Sequence, residues 1–151
     1  MTVWVGAFVW KYEGGLWALV QDSVSTDPRF SHQGVQIKLP GGMSEPEDSN
    51  SLATLRRELQ HELELTLLPG DYKTGYDKIQ DMDRKMIYLV RYDLLAGYLR
   101  TEPKMDGDSF MGAPRWLRVN EANEKFIFST QRPGFHQAAK ALQEQYRGLV
   151  I

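Results

Sequence analysis

The sequence contains no cysteine. Disulfides, thiolate metal sites and cysteine nucleophiles are therefore excluded, and the composition fits a reducing compartment. It also has no apolar run near the roughly 20 residues that a membrane helix requires. The apolar opening MTVWVGAFVWKYEGGLW alternates into a turn and lacks a basic leader and a cleavage site, so it reads as a strand rather than a signal peptide. Charge of either sign is not in excess. Eighteen Lys and Arg against 20 Asp and Glu leave a formal net charge of -2, which gives no electrostatic ground for non-specific binding to nucleic acid or to an anionic membrane. The expectations are a cytoplasmic protein with no membrane association and no specific nucleic-acid partner. Internal repeats and low-complexity segments are missing as well.

What is present is ordinary globular material: 151 residues, 42% apolar and 25% charged, enough for one domain spanning 1–151 with a packed core. Val3 to Trp10 and Leu16 to Gln21 are β-branched and aromatic runs joined by KYEGG, and they read as a hairpin. Residues 22–34 are polar and read as a loop. Val35, Ile37 and Leu39 alternate with polar residues in a short half-buried strand ending at Pro40. Ser49 or Ser51 is placed to cap a helix running to about Leu65, with Leu52, Leu55, Leu59 and Leu63 as its core stripe. A second hairpin is expected from Tyr72 to Gln80 and Met86 to Leu94, and residues 98–114 read as a long loop. A strand from Arg115 to Val119 precedes a closing helix that opens near Pro133. Strands, helix, strands, helix, with hairpins in place of repeated βα units, point to an α/β protein with a mixed sheet covered on both faces.

The stretch LPGGMSEPEDSNSLATLRRELQHELEL, from Leu39 to Leu65, carries the chemistry. At about 3.6 residues per turn, Glu58 and Glu62 project within roughly 40° of each other beside the leucine stripe. Two carboxylates so placed repel each other unless a cation lies between them. They are also a ligand pair for a hard divalent ion. Gly41 and Gly42, having no Cβ, let backbone groups approach such a site. On an amphipathic helix the same spacing is most often a solvated edge, and Pro-Gly-Gly alone is usually a turn; it is their combination that points to a site. His61 either joins the site or borders it.

This segment resembles the Nudix box, G-x5-E-x7-R-E-U-x-E-E-x-G-U with U aliphatic, the signature of the Nudix hydrolase superfamily. Gly42 falls on the first glycine, Asp48 on the first acidic position, Arg57-Glu58-Leu59 on the R-E-U core, Glu62 on the second glutamate of the pair and Leu65 on the last aliphatic position. Pro114 to Ala122 is similar to the strand and turn before the last helix of many members. The resemblance implies a Nudix-like α/β/α sandwich with a mixed β-sheet and hairpins. It also implies Mg²⁺ or Mn²⁺ held by Glu58, Glu62 and the Gly41 carbonyl, with His61 as an additional metal candidate, and an arginine, Arg57, that orients a glutamate. The implied reaction is metal-dependent hydrolysis of a phosphoanhydride in a nucleoside diphosphate linked to another group, with Glu58, Glu62 and Arg57 as the catalytic set.

The box departs from its pattern in four places. Eight residues separate Asp48 from Arg57, aspartate stands at 48, His61 replaces the first glutamate of the pair, and Glu64 replaces the glycine. The last two remove one carboxylate and alter the helix exit, and they favour the alternative, a Nudix-fold nucleotide-binding or interaction module without turnover. Glu102, Asp106 and Asp108 are candidates for a supplementary ligand or form an acidic surface loop. Trp4, Trp10, Trp17 and Trp116 are expected in the core, Tyr76 and Tyr88 in the second hairpin, and Arg84 and Lys85 at its tip, where they meet phosphate or only water. His32 and His136 are read as surface residues. A monomer and a homodimer both remain open.

Overall fold

In the computed structural model, which describes residues 2–151, the central strand is β1 (Thr2–Tyr12). It turns through Glu13–Gly15 into β2 (Leu16–Ser25), which pairs with it antiparallel. β3 (Gln36–Lys38) pairs with β2, and β4 (Gly41–Met43) pairs with β1. Helix α1 (Ser51–Leu63) follows, then β5 (Leu65–Leu67), β6 (Thr74–Gln80) and β7 (Asp83–Arg91). β8 (Leu95–Gly97), β9 (Lys104–Asp106), β10 (Ser109–Met111), β11 (Arg115–Arg118) and α2 (Arg132–Gln145) complete the chain. The main sheet runs β6-β7-β1-β2-β10-β9, with β1 and β7 parallel and the other pairs antiparallel. β5 and β8 make a separate two-stranded ladder.

Both faces of β1 and β7 are covered, so these strands read as continuous apolar runs rather than alternating ones. Val5, Ala7 and Val9 of β1 join Met86, Tyr88 and Val90 of β7 beneath Leu55, Leu59 and Leu63 of α1. Phe8 and Trp10, with Ile87 and Leu89, face Phe135, Ala138, Ala139 and Leu142 of α2 on the other side. The expected α/β/α sandwich with a mixed sheet is what the chain forms. The leucine stripe of α1 is fully buried at 55, 59 and 63, and Leu52 sits at its partly exposed margin. No helix among the described residues is long and apolar enough to cross a membrane.

Several local expectations need correction. Asn50, not Ser49 or Ser51, caps α1, its side chain accepting from the Ala53 N–H at 2.9 Å. The helix ends at Leu63 because Glu64 turns left-handed, with φ 62°, and its N–H closes on the carbonyls of Gln60 and Leu59. Residues 98–114 are not a bare loop: β9 and β10 form a hairpin there, turning at Gly107, φ 57°. β2 runs on to Ser25, four residues beyond its expected end, because β3 and β10 pair with that extension. Val35 is half exposed and lies outside β3, while Ile37 and Leu39 are buried as expected. The β6–β7 turn is tight, at Asp81–Met82, so Arg84 and Lys85 lie within β7 rather than at its tip. Gly41 and Gly42 lie in strand β4 rather than in a turn, and neither has a positive φ.

Candidate active site

Strand β4 lies beside β1 and meets the side of α1 that carries Arg57, Glu58 and Glu62, and its register decides what each residue offers. Ala7 donates to the Pro40 carbonyl and Ser44 to the Val3 carbonyl, with Val5 opposite Gly42. In such an antiparallel ladder alternate residues bond to the neighbour, so Gly41 and Met43 turn their N–H and C=O groups away from β1. Both meet α1. Met43 O accepts from Arg57 Nη2 at 3.0 Å, and Gly41 N–H donates to Glu62 Oε1 at 3.3 Å.

Gly42 has a different task. A Cβ built there would lie 2.5 Å from the carboxyl carbon of Glu58. The glycine therefore admits the Glu58 carboxylate against the strand, where any larger residue would expel it.

Arg57 binds this corner together. Its Nε and Nη2 reach the two oxygens of Asp48 at 3.2 and 2.8 Å, and Nη1 reaches Glu58 Oε1 at 2.7 Å and Glu45 at 3.3 Å. The bidentate contact fixes the plane of the guanidinium, so the extra residue between Asp48 and Arg57 does not break the pairing. Asp48 also accepts from the Glu45 N–H and from the Thr54 hydroxyl, both at 2.9 Å. The Arg57 hydrogen bond, first among these, holds the Asp48 carboxyl well below the usual carboxylate range. Of the two helix glutamates, it is Glu58 that Arg57 contacts.

Glu62 lies one turn further along, 3% exposed. Gln21 Nε2 donates to its Oε2 at 2.7 Å, and the Gly41 N–H donates to Oε1. Behind Gln21 stands Arg100, also buried, whose Nη2 donates to Gln21 Oε1 at 2.5 Å and whose Nε donates to the Glu62 carbonyl at 2.8 Å. Burial pushes the Glu62 carboxyl up to about 7 against the pull of its two hydrogen bonds, and the Glu58 and Asp106 charges add to the rise.

The predicted residues are distributed unequally around this pair. Arg57, Glu58, Glu62 and Gly41 converge. His61 is half exposed, with Nδ1 3.8 Å from Glu58 Oε2, so it borders the carboxylates from the solvent side. Asp106 lines the adjoining cleft, whereas the Asp108 carbonyl is occupied by Thr26. Glu102 is exposed and meets Arg100 only through its backbone carbonyl. Trp10 is buried as expected, but Trp4 lines the cleft, and Lys85 lies beside it with Nζ 5.3 Å from the Trp4 ring centre. Tyr88 is buried in the core beneath α1, and its hydroxyl meets Ser51 at 2.5 Å. His32 is exposed, and His136 is a surface residue whose Nε2 lies 3.1 Å from Glu124.

Gln21, Arg100 and Lys38 were not marked by the sequence. Arg100 and Gln21 lie in unremarkable strand and loop contexts, and no local spacing joins positions 21, 62 and 100.

The cleft over Glu62 has a volume of about 630 Å³ and is lined by Trp4, Lys38, Tyr76, Lys85 and Phe128 among others. Lys38 and Lys85 are both half-buried, and burial lowers the pKa of each ammonium. A cleft floored by carboxylates and walled by ammonium groups and aromatic rings can hold a metal-bound polyphosphate beside a flat ring.

The residues suit a hard divalent cation. Glu58 and Glu62 offer carboxylate oxygens, the Gly41 carbonyl lies on the strand edge facing them, and the Glu62 carboxylate enters no ion pair among the described residues. Among the described residues no group of three or more His, Asp or Glu side chains gathers to hold a metal. The side-chain donors here are therefore these two acids, with water or substrate oxygens left to complete a shell.

Residues 2–138 match the NUDIX domain family. The chain belongs to this family. Nudix proteins are in general metal-dependent pyrophosphohydrolases acting on nucleotide derivatives. The fold is similar to that of a MutT structure reported for Aliivibrio salmonicida and Vibrio cholerae, with a TM-score of 0.64 at 16% identity, covering 92% of this chain and 97% of that one. A NUDIX hydrolase from Nitrosomonas europaea gives a TM-score of 0.67 at 15% identity over 95% of this chain and 89% of its own. The E. coli ORF135 protein gives 0.63 at 18% identity, over 98% and 94%. No curated protein matches the sequence. At such identities the structural likeness establishes the Nudix fold, and the chemistry has to be argued from the site itself.

Proposed function

We propose that this chain hydrolyses a phosphoanhydride in a nucleoside diphosphate linked to another group, using a divalent cation held by Glu58, Glu62 and the Gly41 carbonyl. The observation that carries the reading is that buried Glu62 and the out-turned Gly41 line a cleft with half-buried lysines, while the buried Glu58 carboxylate lies beside them against Gly42. When bound, the cation supplies charge neutralisation of the phosphate oxygens and lowers the pKa of water.

The chain's own groups do the rest. Arg57 keeps the Glu58 carboxylate pressed against Gly42. Gln21 and the Gly41 N–H orient Glu62, whose carboxyl, pushed up to about 7 by burial without the cation, gives up its proton when the cation binds. Lys38 and Lys85 attract the polyphosphate and stabilise charge on its oxygens. In the reaction, the water oxygen bonds to one phosphorus as the bridging oxygen leaves on the other, and the two water protons pass to the phosphate products or to solvent.

A second reading is favoured by one feature. His61 stands at the rim where the family pattern has a carboxylate, leaving two acids in place of three. This supports a nucleotide-binding module without turnover.

The two readings part in one assay. Purified protein is incubated with nucleoside triphosphates, ADP-ribose, dinucleoside polyphosphates and nucleotide sugars under Mg²⁺ or Mn²⁺, and phosphate release is followed after phosphatase coupling. Metal-dependent turnover lost in Glu62→Gln supports the hydrolase. Nucleotide binding with no product under either metal supports the binding module.

A further inference from the structure

The cleft over Glu62 does not end at Lys38. A second depression of about 320 Å³ shares Lys38, Phe128, Ser109 and Ser129 with it, so the two are joined at a waist. At that waist Lys38 Nζ lies 4.5 Å from the Phe128 ring centre and forms no ion pair among the described residues. Beyond it the lining changes character. Ser23 and Gln36 stand opposite each other on β2 and β3, and Ser25, Gln33 and Phe30 complete the wall. Apart from Lys38, no side chain lining this depression is ionisable.

The composition selects an occupant. A phosphate drawn past Lys38 would surrender its hydration to neutral hydroxyls and amides, a poor exchange for a charged group. An apolar group would leave the Ser23 hydroxyl and the Gln36 Oε1 unpaired, although Gln36 Nε2 already donates to the Gln33 carbonyl and the Ser25 hydroxyl accepts from the Asp27 N–H. A ring carrying several hydroxyls satisfies both conditions, exchanging hydrogen bonds with Ser23, Gln36 and Gln33 while its carbon face covers Phe30. The volume lies at the lower end of the range, about 300–1,000 Å³, of small-molecule pockets.

We propose that this second depression binds the neutral, polyhydroxylated group of a nucleoside diphosphate sugar, with Lys38 contacting the diphosphate at the waist. The assignment rests on the cleft over Glu62 being the diphosphate site. It excludes nucleoside triphosphates as preferred substrates, because their terminal phosphate would face hydroxyls and amides, and the nearby Arg29 over the Phe30 ring is already bound by Asp27.

The test is equilibrium binding by titration calorimetry, with ADP-ribose and UDP-glucose as probes and ADP and UDP as their matched controls. Wild-type protein is compared with a Ser23→Ala, Gln36→Leu double variant, which removes two facing polar groups without adding bulk; thermal unfolding confirms that both are folded. At least one sugar derivative should bind wild type roughly 10-fold or more tightly than its parent diphosphate. The double variant should lose about that factor for the sugar derivative and none for the diphosphate, the scale expected of one to two net hydrogen bonds. Equal affinity of sugar derivative and diphosphate, or an unchanged preference in the variant, overturns the proposal. Turnover measured alongside separates the two readings. Triphosphate hydrolysis without a sugar preference ends this inference and leaves the hydrolase standing. A variant-sensitive sugar preference without hydrolysis does the reverse.

Discussion

Arg100 is joined to Glu62 twice. Its Nε donates to the Glu62 carbonyl oxygen at 2.8 Å, and its Nη2 donates to Gln21, whose amide passes on to the Glu62 carboxylate at 2.7 Å. Because a guanidinium only donates, it obliges Gln21 to present Oε1 towards it and Nε2 towards Glu62. The orientation of one amide thus follows from a residue 79 positions away.

Removing that guanidinium should unsettle the fold as well as the site. Arg100→Met leaves the Glu62 carbonyl and Gln21 Oε1 without a donor in a buried region, a loss of about 3 kcal/mol. Urea unfolding checks this. The midpoint should fall with little change in the slope, which would mark lost stability rather than altered compactness.

Glu62 should make stability fall as pH rises. Its folded pKa of about 7 lies above the ordinary 4.5, so between these values the folded state binds more protons than the unfolded state. Stability is then highest below about pH 4.5 on this account and is lost as pH rises through 7, by about 3 kcal/mol in all. In chelator, the stability of wild type relative to Glu62→Gln should decline by this order between pH 4.5 and 8. A flat difference would contradict the buried, unpaired carboxyl. Adding Mg²⁺ at pH 8 should raise the melting temperature of wild type and leave that of Glu62→Gln nearly unchanged.

Gly42→Ala is expected to damage activity more than folding. The added methyl meets the Glu58 carboxyl at 2.5 Å, and that carboxyl is held by Arg57 and cannot swing freely. A kcat loss of roughly 10- to 100-fold with an unchanged far-UV spectrum is the expected result, as a group misplaced by about 1 Å costs on this order.

Glu64→Gly should stabilise the protein. Glu64 occupies the left-handed region that closes α1, where glycine carries no Cβ penalty. That gain is partly offset by the greater freedom of glycine in the unfolded chain, leaving roughly 0.5 kcal/mol net. The denaturation midpoint measures it.

The sequence disclosed much of the fold through periodicity, and the reason shows in particular residues. Leu55, Leu59 and Leu63 repeat at helical spacing because one face of α1 covers the sheet, and Arg57, Glu58 and Glu62 are positioned by that same helix. The β9–β10 hairpin was missed because its strands are three residues each, too short for alternation to register against Pro103, Gly107 and Gly112. Pro-Gly-Gly reads as a turn in the sequence, whereas in the fold Gly42 makes room for the Glu58 carboxylate and Gly41 for the β1 backbone and the Trp4 ring. Gln21, Arg100 and Lys38 were illegible for a different cause. They belong to the site through tertiary contacts between β2, β3 and the segment after β8, and no one-dimensional pattern encodes such proximity.

If Glu58 and Glu62, with the Gly41 backbone, hold a divalent cation against a substrate diphosphate, the ion should be visible in that corner. Manganese-soaked crystals grown with a non-hydrolysable nucleoside diphosphate analogue test it most directly, through anomalous scattering. A manganese peak is expected within coordinating distance of Glu58, Glu62 and the Gly41 carbonyl oxygen, and it should be absent in Glu62→Gln. An empty corner at saturating manganese, with the analogue bound and both carboxylates keeping only their present protein partners, would contradict it.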